Sequence, residues 1–450
     1  MRKLALVGLA ALAACSPKAT EEMTDNKIHL ITLDPGHFHA ALVQKSMYED
    51  IDSTVHIYAP ESPDLDLHMA KIEQYNTRED NPTHWNSIIY KGDDFLEKMV
   101  EEKAGNVVVL AGNNLKKTEY ISTSVNAGFN VLADKPMAIN SEDYALLKQA
   151  FTTAEEKGVL LYDIMTERSE ITTILQKELS QNPELFGELE VGTAENPAVS
   201  KVSVHHFFKY VSGAPLIRPA WFFDTKQQGE GIVDVTTHLI DLTFWECFPE
   251  QIINDSDVEL VAARRWPTVI SPADFEKVTG KTEFPDFLQS SINAGNLEAY
   301  ANGEIDYTIK GHHAKVSVTW NFQAPEGTGD THYSIMRGTK ANLVIRQGAE
   351  QNYKPTLYIE PTGKMSETEA QAAIDKLLSK YDGLTLEKRD KGWKVAIPAK
   401  YDIGHEAHFA QVMERFIDYY KNGNMPAWEV PNMLTKYGLS TRALEMAMKK

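Results

Sequence analysis

The sequence predicts an N-terminal α/β domain around a doubly wound parallel sheet, followed by an α+β domain with a large, mostly antiparallel, open-faced sheet. Two observations carry this prediction. From Lys27 to about residue 165, short β-branched runs alternate with amphipathic helical patterns, which is typical of parallel βαβ units. Beyond this point the strands become longer and alternate apolar with polar residues, as expected when one face of a sheet is solvated.

The composition is that of an ordinary globular chain. Its 450 residues are 42% hydrophobic, 9% aromatic and 24% charged, which suffices for two or three domains with substantial cores. The net charge of −19 arises from 64 acidic and 45 basic residues without a basic block, so we expect no binding to nucleic acid. An acidic protein that acts on a small or neutral ligand fits this balance better.

Residues 1–14 are predicted to be a bacterial lipoprotein signal peptide. Two basic residues precede the apolar run Leu4–Ala14, which is too short to span a membrane as a mature helix, and Leu12–Cys15 forms a lipobox. Cleavage before Cys15 would leave its sulfur to carry the lipid. We therefore expect a lipid anchor at Cys15, a location outside the cytoplasm on the periplasmic side or the cell surface, and a flexible tether over residues 15–27.

Residues 28–165 are predicted to form a Rossmann-type dinucleotide-binding domain, in which ligands bind at the carboxyl ends of the strands. The predicted strands are Ile28–Leu33, Thr54–Tyr58, Asn106–Ala111, Asn130–Ala133 and Val159–Asp163. The predicted helices between and after them are Phe38–Tyr48, Asp64–Tyr75, Asp94–Glu102, Lys117–Ala127 and Asp143–Lys157.

Residues 166–450 are predicted to form a substrate-binding domain. Its clearest strands are Glu304–Lys310, Ala314–Phe322, His332–Arg337 and Ala341–Arg346, and helical insertions are expected at Asp274–Val278 and Glu367–Tyr381. Two amphipathic helices, His405–Lys421 and Met433–Lys449, close the chain, and the first is expected to pack back on the nucleotide-binding domain. The open sheet face is a candidate surface for a homo-oligomer.

Lys135 is the first candidate for a catalytic residue. Pro136 fixes the backbone at the end of a predicted strand, which holds the ammonium over the crevice where doubly wound folds bind ligands. A cation there can stabilise a developing alkoxide. For this dipeptide alone, a surface lysine beside a turn proline is the more frequent interpretation.

Asp234 and His238 are the second pair of candidates. They are four residues apart and lie on one face if the segment is helical, with Asp241 near the next turn. A histidine oriented by a carboxylate is a reasonable acid or base. A capped helix with a satisfied buried histidine is equally compatible with this motif in isolation.

The turn after the first strand keeps only part of a dinucleotide fingerprint. That fingerprint places glycines at positions 34, 36 and 39, where this chain has Asp34, Gly36 and His39. Gly36 occupies the position that permits close backbone approach to a pyrophosphate. Glu61 is the nearest candidate for a ribose-binding acid after the second strand. The expected contacts of the turn itself are Gly36, His37, Phe38 and His39.

Three separated motifs resemble the glucose-fructose oxidoreductase and inositol dehydrogenase (Gfo/Idh/MocA) family. Gly128–Pro136 is similar to its aGkxVlxEKP segment, with Asp134 in place of glutamate. Gly229–Asp241 is similar to its GGGxxxDxGxHxxD motif, and Arg168 matches an arginine at the start of its second domain. The long C-terminal part resembles an exported lipoprotein branch of that family, common among Bacteroidetes.

This resemblance implies an enzyme that uses tightly bound NAD or NADP to oxidise or reduce a hydroxyl or ketone of a sugar or glycoside. Glycosidase or lyase activity through transient oxidation is a further outcome that it allows. It implies catalytic roles for Lys135, Asp234 and His238. Further cofactor contacts are expected from Asn114, Asp134, Lys135 and Pro136.

An alternative is a redox-inactive, lipid-anchored sugar-binding protein on the same fold. The incomplete glycine turn favours this alternative, whereas the presence of Lys135, Asp234 and His238 favours the enzyme. In either case, polar and aromatic side chains are expected to surround a sugar. The candidates for this role are His205, His206, Lys209, Arg218, Trp221 and Asp241.

We expect no metal ion. An alternative with His37, His39 and His238 as metal ligands is not supported by any nearby cysteine, and clustered histidines are often ordinary polar side chains.

Overall fold

Two large sheets organise the chain in the computed structural model, which describes residues 27–211 and 214–449. One is a six-stranded parallel sheet, and the other is a ten-stranded, mostly antiparallel sheet, which confirms the predicted fold class. The signal peptide, Cys15 and all but the last residue of the tether lie outside the described residues. Within the described part of the chain, no helix has the length and hydrophobicity needed to cross a membrane.

The N-terminal elements alternate strand and helix as predicted. They are β1 (Leu30–Leu33), α1 (His39–Val43), β2 (Thr54–Ala59), α2 (Pro63–Thr77), β3 (Asn86–Lys91), α3 (Phe95–Glu102), β4 (Val107–Leu110), α4 (Lys117–Ala127), β5 (Asn130–Asp134), α5 (Ser141–Lys157) and β6 (Leu161–Ile164). The strand order β3-β2-β1-β4-β5-β6 is that of a complete Rossmann fold.

Two N-terminal elements differ from their predictions. Helix α1 ends at Val43 rather than at Tyr48, because the carbonyls of Gln44 and Lys45 accept side-chain hydrogen bonds from Trp85 and Arg78 and so leave the helix. Strand β3 was not predicted. It is an edge strand whose side chains are partly or fully exposed, so it lacks the apolar run that marks the inner strands.

The C-terminal elements begin after a short 3-10 turn at Thr166–Ser169. They are α6 (Ile171–Ser180), β7 (Val199–Phe208), β8 (Tyr210–Val211), β9 (Ala214–Pro215), α7 (Thr225–Gln228), α8 (Thr236–Cys247), β10 (Val258–Ile270), α9 (Pro272–Thr279), β11 (Ile292–Asn293), β12 (Asn296–Ile309), β13 (His312–Gln323), β14 (Thr331–Arg337), β15 (Ala341–Arg346), β16 (Thr356–Pro361), α10 (Glu367–Asp375), β17 (Thr385–Arg389), β18 (Gly392–Ala396), α11 (His405–Asn422) and α12 (Glu429–Met448).

The second sheet has the order β10-β12-β13-β7-β14-β15-β16-β18-β17, with β11 beside β12, and its one parallel pairing joins β7 to β13. Apolar residues of α6, α8, α10 and α12 share a core with one face of this sheet. The other face is polar and carries the ion pairs Arg264–Glu304, Lys315–Asp306 and Arg346–Glu360. A homo-oligomer contact through this face stays a prediction.

The C-terminal helices contribute to both cores. Phe409 and Phe416 of α11 and Tyr437 of α12 pack in the core of the parallel sheet, whereas Leu439 of α12 packs in the core of the second sheet. Gly438 allows α12 to approach α5 closely, since a Cβ there would lie 2.6 Å from the hydroxyl oxygen of Tyr144. The end of the chain therefore fastens the two sheets together.

Candidate active site

The predicted lysine and carboxylate form an ion pair at the carboxyl edge of the parallel sheet. Lys135 follows the last residue of β5, and its Nζ donates to Oδ1 of Asp234 at 2.6 Å. Both side chains are largely buried. Burial alone would lower the pKa of Lys135, but the carboxylates of Asp234 and Asp134 raise it above its ordinary value. The lysine is therefore a fixed ammonium ion.

The predicted pairing of Asp234 with His238 is wrong. Helix α8 begins at Thr236, so Asp234 precedes the helix and the four-residue helical spacing does not apply to it. Its Oδ2 accepts instead from Nε2 of Gln228 at 3.1 Å. Nδ1 of His238 is buried without a hydrogen-bond partner among the described residues. Burial and then the charge of Lys135 lower the pKa of His238 well below its ordinary value, so this imidazole is neutral.

Asp241 is a structural residue rather than the predicted sugar contact. Its carboxylate accepts two hydrogen bonds from the guanidinium of Arg168, at 2.6 and 2.7 Å, and one from Nζ of Lys436 at 2.9 Å. Burial raises the pKa of Asp241, but the two cations outweigh burial and lower it. Arg168 also donates to Glu429, and Lys436 to Asp163. We call these five residues the buried charge network.

The turn between β1 and α1 brings two histidines to Asp134. Nδ1 of His39 lies 2.9 Å from Oδ2 of Asp134, and Nδ1 of His37 lies 3.8 Å from the same oxygen. The ring of Phe38, between them in sequence, is 45% exposed. A Cβ at Gly36 would lie 3.3 Å from the backbone nitrogen of Asn113, so the small residue is needed for this close approach.

Residues of the second domain lie against the same edge. The indole N–H of Trp221 donates to Asp64 at 2.9 Å, and the side-chain amide of Asn114 donates to the carbonyl of Gln228 at 2.7 Å. Trp221, whose ring was predicted to face a sugar, thus uses its indole nitrogen in a contact between the domains. Glu61 is exposed, and no contact in the described part of the chain assigns it to a ribose site.

A nicotinamide dinucleotide fits this edge in its essential features. The strand order is that of dinucleotide-binding sheets, and Gly36 permits the backbone to approach a pyrophosphate closely. Lys135 lies at the end of β5. Oδ1 of Asn114 is buried without a hydrogen-bond partner among the described residues, as expected of an atom that awaits a ligand. The turn that would contact the pyrophosphate departs from the glycine fingerprint, because Asp34 and His39 replace two of its glycines.

Three predicted sugar contacts converge on an aspartate that was not predicted. Asp330 accepts hydrogen bonds from His205 and His206 at 3.1 and 3.2 Å, and it also pairs with Lys209. Burial raises the pKa of Asp330, but the two histidines and the lysine lower it well below its ordinary value. Asp330 precedes β14 in a glycine-containing loop, and this was the only sequence signal for it.

Arg218 supports this cluster rather than a sugar, which corrects its prediction. It is almost fully buried, and its guanidinium donates to the backbone carbonyls of Phe207 at 2.7 Å and His206 at 3.1 Å. The ring of His205 stacks on Trp320 at a centroid distance of 4.8 Å. The charge of Lys209 helps to lower the pKa of His405, so the cluster lies near the start of α11.

Glu167 and His405 are site residues that the sequence did not reveal. Glu167 lies in the turn after β6, and its Oε1 is 3.5 Å from Nδ1 of His405, the first residue of α11. Burial and then the neighbouring charge of Glu170 raise the pKa of Glu167 to about 7, against the opposing effect of Lys135. Their only sequence signals were the adjacency of Glu167 to Arg168 and the histidine-containing start of a helix.

Replacing Glu167 by Gln is expected to change how stability depends on pH. A carboxyl group whose pKa is raised from 4.5 to about 7 in the folded state stabilises at low pH, and this contribution is lost as the pH rises through that interval. The Tm of the parent minus that of Glu167→Gln should therefore fall between about pH 4.5 and pH 7 and then stay constant. The fall should be small, because the Glu167 side chain is 37% exposed and solvent screens its charge. Parallel Tm profiles of the two proteins would contradict the assignment.

Comparisons with known proteins agree with the fold and with the motifs. The family model described as "Putative oxidoreductase C terminal domain" matches residues 175–448. No curated protein matches the chain. A crystal structure described as a "putative oxidoreductase" from Parabacteroides merdae is 55% identical, covers 94% of this chain and 98% of its own, and superposes with a TM-score of 0.92.

More distant solved structures share the fold. A levoglucosan dehydrogenase in complex with NADH and levoglucosan is 11% identical, with a TM-score of 0.60 over 94% of this chain and 97% of its own. KijD10, a 3-ketoreductase from Actinomadura kijaniata in complex with NADP, is 13% identical, with a TM-score of 0.55 over 94% and 98%. On the family match and the 55% identical relative, the chain belongs to the Gfo/Idh/MocA-type oxidoreductases, as its motifs predicted.

Proposed function

We propose that the chain is an NAD(P)-dependent oxidoreductase that interconverts a hydroxyl and a ketone on a sugar or glycoside. The observation that carries this proposal is the buried ion pair of Lys135 and Asp234 at the carboxyl edge of a Rossmann sheet, close enough to His238 for the charge of Lys135 to help keep that histidine neutral. The dehydrogenase and ketoreductase with the same fold, which bind NADH and NADP, support the choice of cofactor.

A bound dinucleotide would accept or donate the hydride, and Gly36, Asn114, Lys135 and Pro136 are the residues placed to hold it. During oxidation of a hydroxyl, the Lys135 ammonium donates a hydrogen bond to the oxygen and stabilises its growing negative charge. Asp234 fixes that ammonium, and Gln228 fixes Asp234. His238 is neutral and so has a lone pair for the hydroxyl proton, but burial and the charge of Lys135 make it a weak base. Because its Nδ1 is buried, Nε2 is the nitrogen that would receive it.

We place the sugar beside the Asp330 cluster. His205 and Lys209 remain partly exposed there and offer polar groups to hydroxyls. A cavity beside Asp234, lined by Phe207, Phe222 and Trp320, is only about 20 Å³ and could admit a water molecule but no sugar ring.

Cleavage of a glycosidic bond is a further possible outcome of this chemistry. Oxidation to a ketone acidifies the neighbouring C–H bond, so elimination of the glycosidic oxygen becomes easier, and reduction afterwards would regenerate the cofactor. The alternative, a sugar-binding protein without redox activity, is favoured by one observation. The contacts of Trp221 with Asp64 and of Asn114 with Gln228 bridge the edge where a dinucleotide would lie.

Release of nicotinamide dinucleotide from the purified, denatured protein, measured by mass, separates the two candidates. We expect Gly36→Val to lose the dinucleotide, because its side chain would press on the backbone of Asn113 and on Asp64. Gly363→Val is the matched control, since a Cβ there meets nothing within 4 Å. Absence of dinucleotide from the parent, in a preparation supplied with NAD and NADP during folding, would favour the sugar-binding alternative.

We also propose that Cys15 anchors the chain by lipid to a bacterial membrane, outside the cytoplasm. The support for this is the order of basic residues, apolar run and lipobox in the sequence. Cys15→Ala is expected to move the chain from the membrane fraction to the soluble fraction without changing its Tm. Cys247→Ala, which alters a residue of α8 instead, should remain with the membrane. A Cys15→Ala chain that stays with the membrane would exclude the lipid anchor.

A further inference from the structure

We propose that His37, His39 and Asp134 bind one divalent transition-metal ion at the turn between β1 and α1. One ligand atom from each side chain lies within 4.8 Å of the other two. The proposal goes beyond the oxidoreductase function and does not rest on it, although the site adjoins Gly36 and Lys135, which are placed to hold the dinucleotide. It also replaces the expectation from the sequence that the protein binds no metal.

The fold itself brings the three residues together. Strands β1 and β5 lie on either side of β4, and all three end at the same edge because they are parallel. The turn after β1 crosses the end of β4, where the backbone N–H of His37 donates to the carbonyl of Ala111 at 3.1 Å. This crossing carries both histidines to Asp134, the last residue of β5.

The donor atoms and their separations suit a transition metal. Two imidazoles and a carboxylate form the ligand set of catalytic zinc sites and of mononuclear iron sites. Ligand atoms around a tetrahedral ion with bonds near 2.0–2.1 Å stand about 3.3 Å apart. Here the two histidine nitrogens lie 2.9 and 3.8 Å from Oδ2 of Asp134. To bind the ion, Nδ1 of His37 would exchange the long hydrogen bond that it accepts from the backbone N–H of His39, at 3.3 Å, for the metal.

The site is enclosed but not sealed. The Asp134 side chain is 5% exposed and those of His39 and His37 are 12% and 21% exposed, which leaves an entry path. Three protein ligands leave at least one coordination position for water or a substrate oxygen. Two lysines near the site could oppose a metal cation. The charge of Lys135 is already balanced by Asp234. Lys117 donates to the backbone carbonyl of Asp134 and so does not compete for its carboxylate.

Titration of the purified full chain with Zn²⁺ and with Co²⁺ tests this site. The protein should carry no histidine tag, and metal binding is measured without added dinucleotide or sugar, so failure of the proposed function would not affect the result. We expect one ion per chain by calorimetry, and visible absorption bands of protein-bound Co²⁺. His39→Ala and the nearly isosteric Asp134→Asn should each weaken binding by at least about 10-fold.

His84→Ala is the matched control, because His84 is an exposed histidine of the same domain, and it should bind Zn²⁺ as the parent does. Circular dichroism of each variant establishes that its fold is retained. The proposal is overturned if the parent binds no stoichiometric metal. It is equally overturned if folded Asp134→Asn binds Zn²⁺ as tightly as the parent, or if His84→Ala loses the ion.

Discussion

Lys135→Met is expected to lower turnover by at least about 100-fold, because it removes the charge that stabilises the developing alkoxide. Turnover is measured as reduction of NAD(P) with a panel of neutral sugars and glycosides. The same change should also lower the Tm, since Asp234 then keeps a buried charge whose only remaining hydrogen-bond donor among the described side chains is Gln228.

A double variant separates these two effects. Lys135→Met/Asp234→Asn removes both charges, so it should recover much of the lost Tm while remaining inactive. His238→Ala should also cost about 100-fold in turnover, and its combination with Lys135→Met should be scarcely worse than either change alone, because the two groups act in one step. Reduction of the cofactor by His238→Ala at the rate of the parent would exclude His238 as the base.

Arg168→Met is expected to destabilise the protein by about 3–5 kcal/mol, the cost of removing one member of a buried ion pair. Its guanidinium holds Asp241 of α8 and Glu429 of α12 at once, through hydrogen bonds of 2.6–3.0 Å. Both carboxylates are buried, so neither can recover its solvation when the arginine is lost. The loss of stability is measured as a shift in the midpoint of urea unfolding.

Arg442→Met is the matched control for this prediction. Its pair with Asp255 is solvent-exposed on both sides, and such surface pairs contribute about 0–1 kcal/mol. A shift for Arg168→Met no larger than that for Arg442→Met would show that the buried charge network does not hold the two domains together.

The architecture could be predicted because buried parallel strands have a strong local signature. Val107–Leu110 is fully apolar, is preceded by Asn106 and is followed by Ala111 and Gly112, and such a short apolar run ending at a glycine indicates an inner strand. Asn86–Lys91 has no buried face, and only its pairing with β2 makes it a strand. Helix α1 was predicted too long because residues distant in sequence determine where it ends. The hydrogen bonds that end it come from Trp85 and Arg78.

The site was predicted only where a local motif marked it. Lys135 and Asp234 were found through such motifs, but the role of Asp241 was assigned wrongly because its partner Lys436 lies 195 positions along the chain. Asp330 was missed for a similar reason, as its partner His205 is 125 residues away. Sequence spacing can predict which residues share one face of a helix. It cannot predict these contacts, because they depend on where the fold places β14 and α12.

The packing of α11 and α12 into the first core determines when this protein can fold during synthesis. The parallel sheet is made from β1 to β6, yet Phe416 and Tyr437, which complete its core, follow it in the chain only after the whole second sheet. Most proteins can fold their domains in order from the N-terminus, but here the core of the first domain is incomplete until α11 and α12 have been made. A nascent chain therefore keeps apolar surface of its first domain uncovered until these two helices are translated.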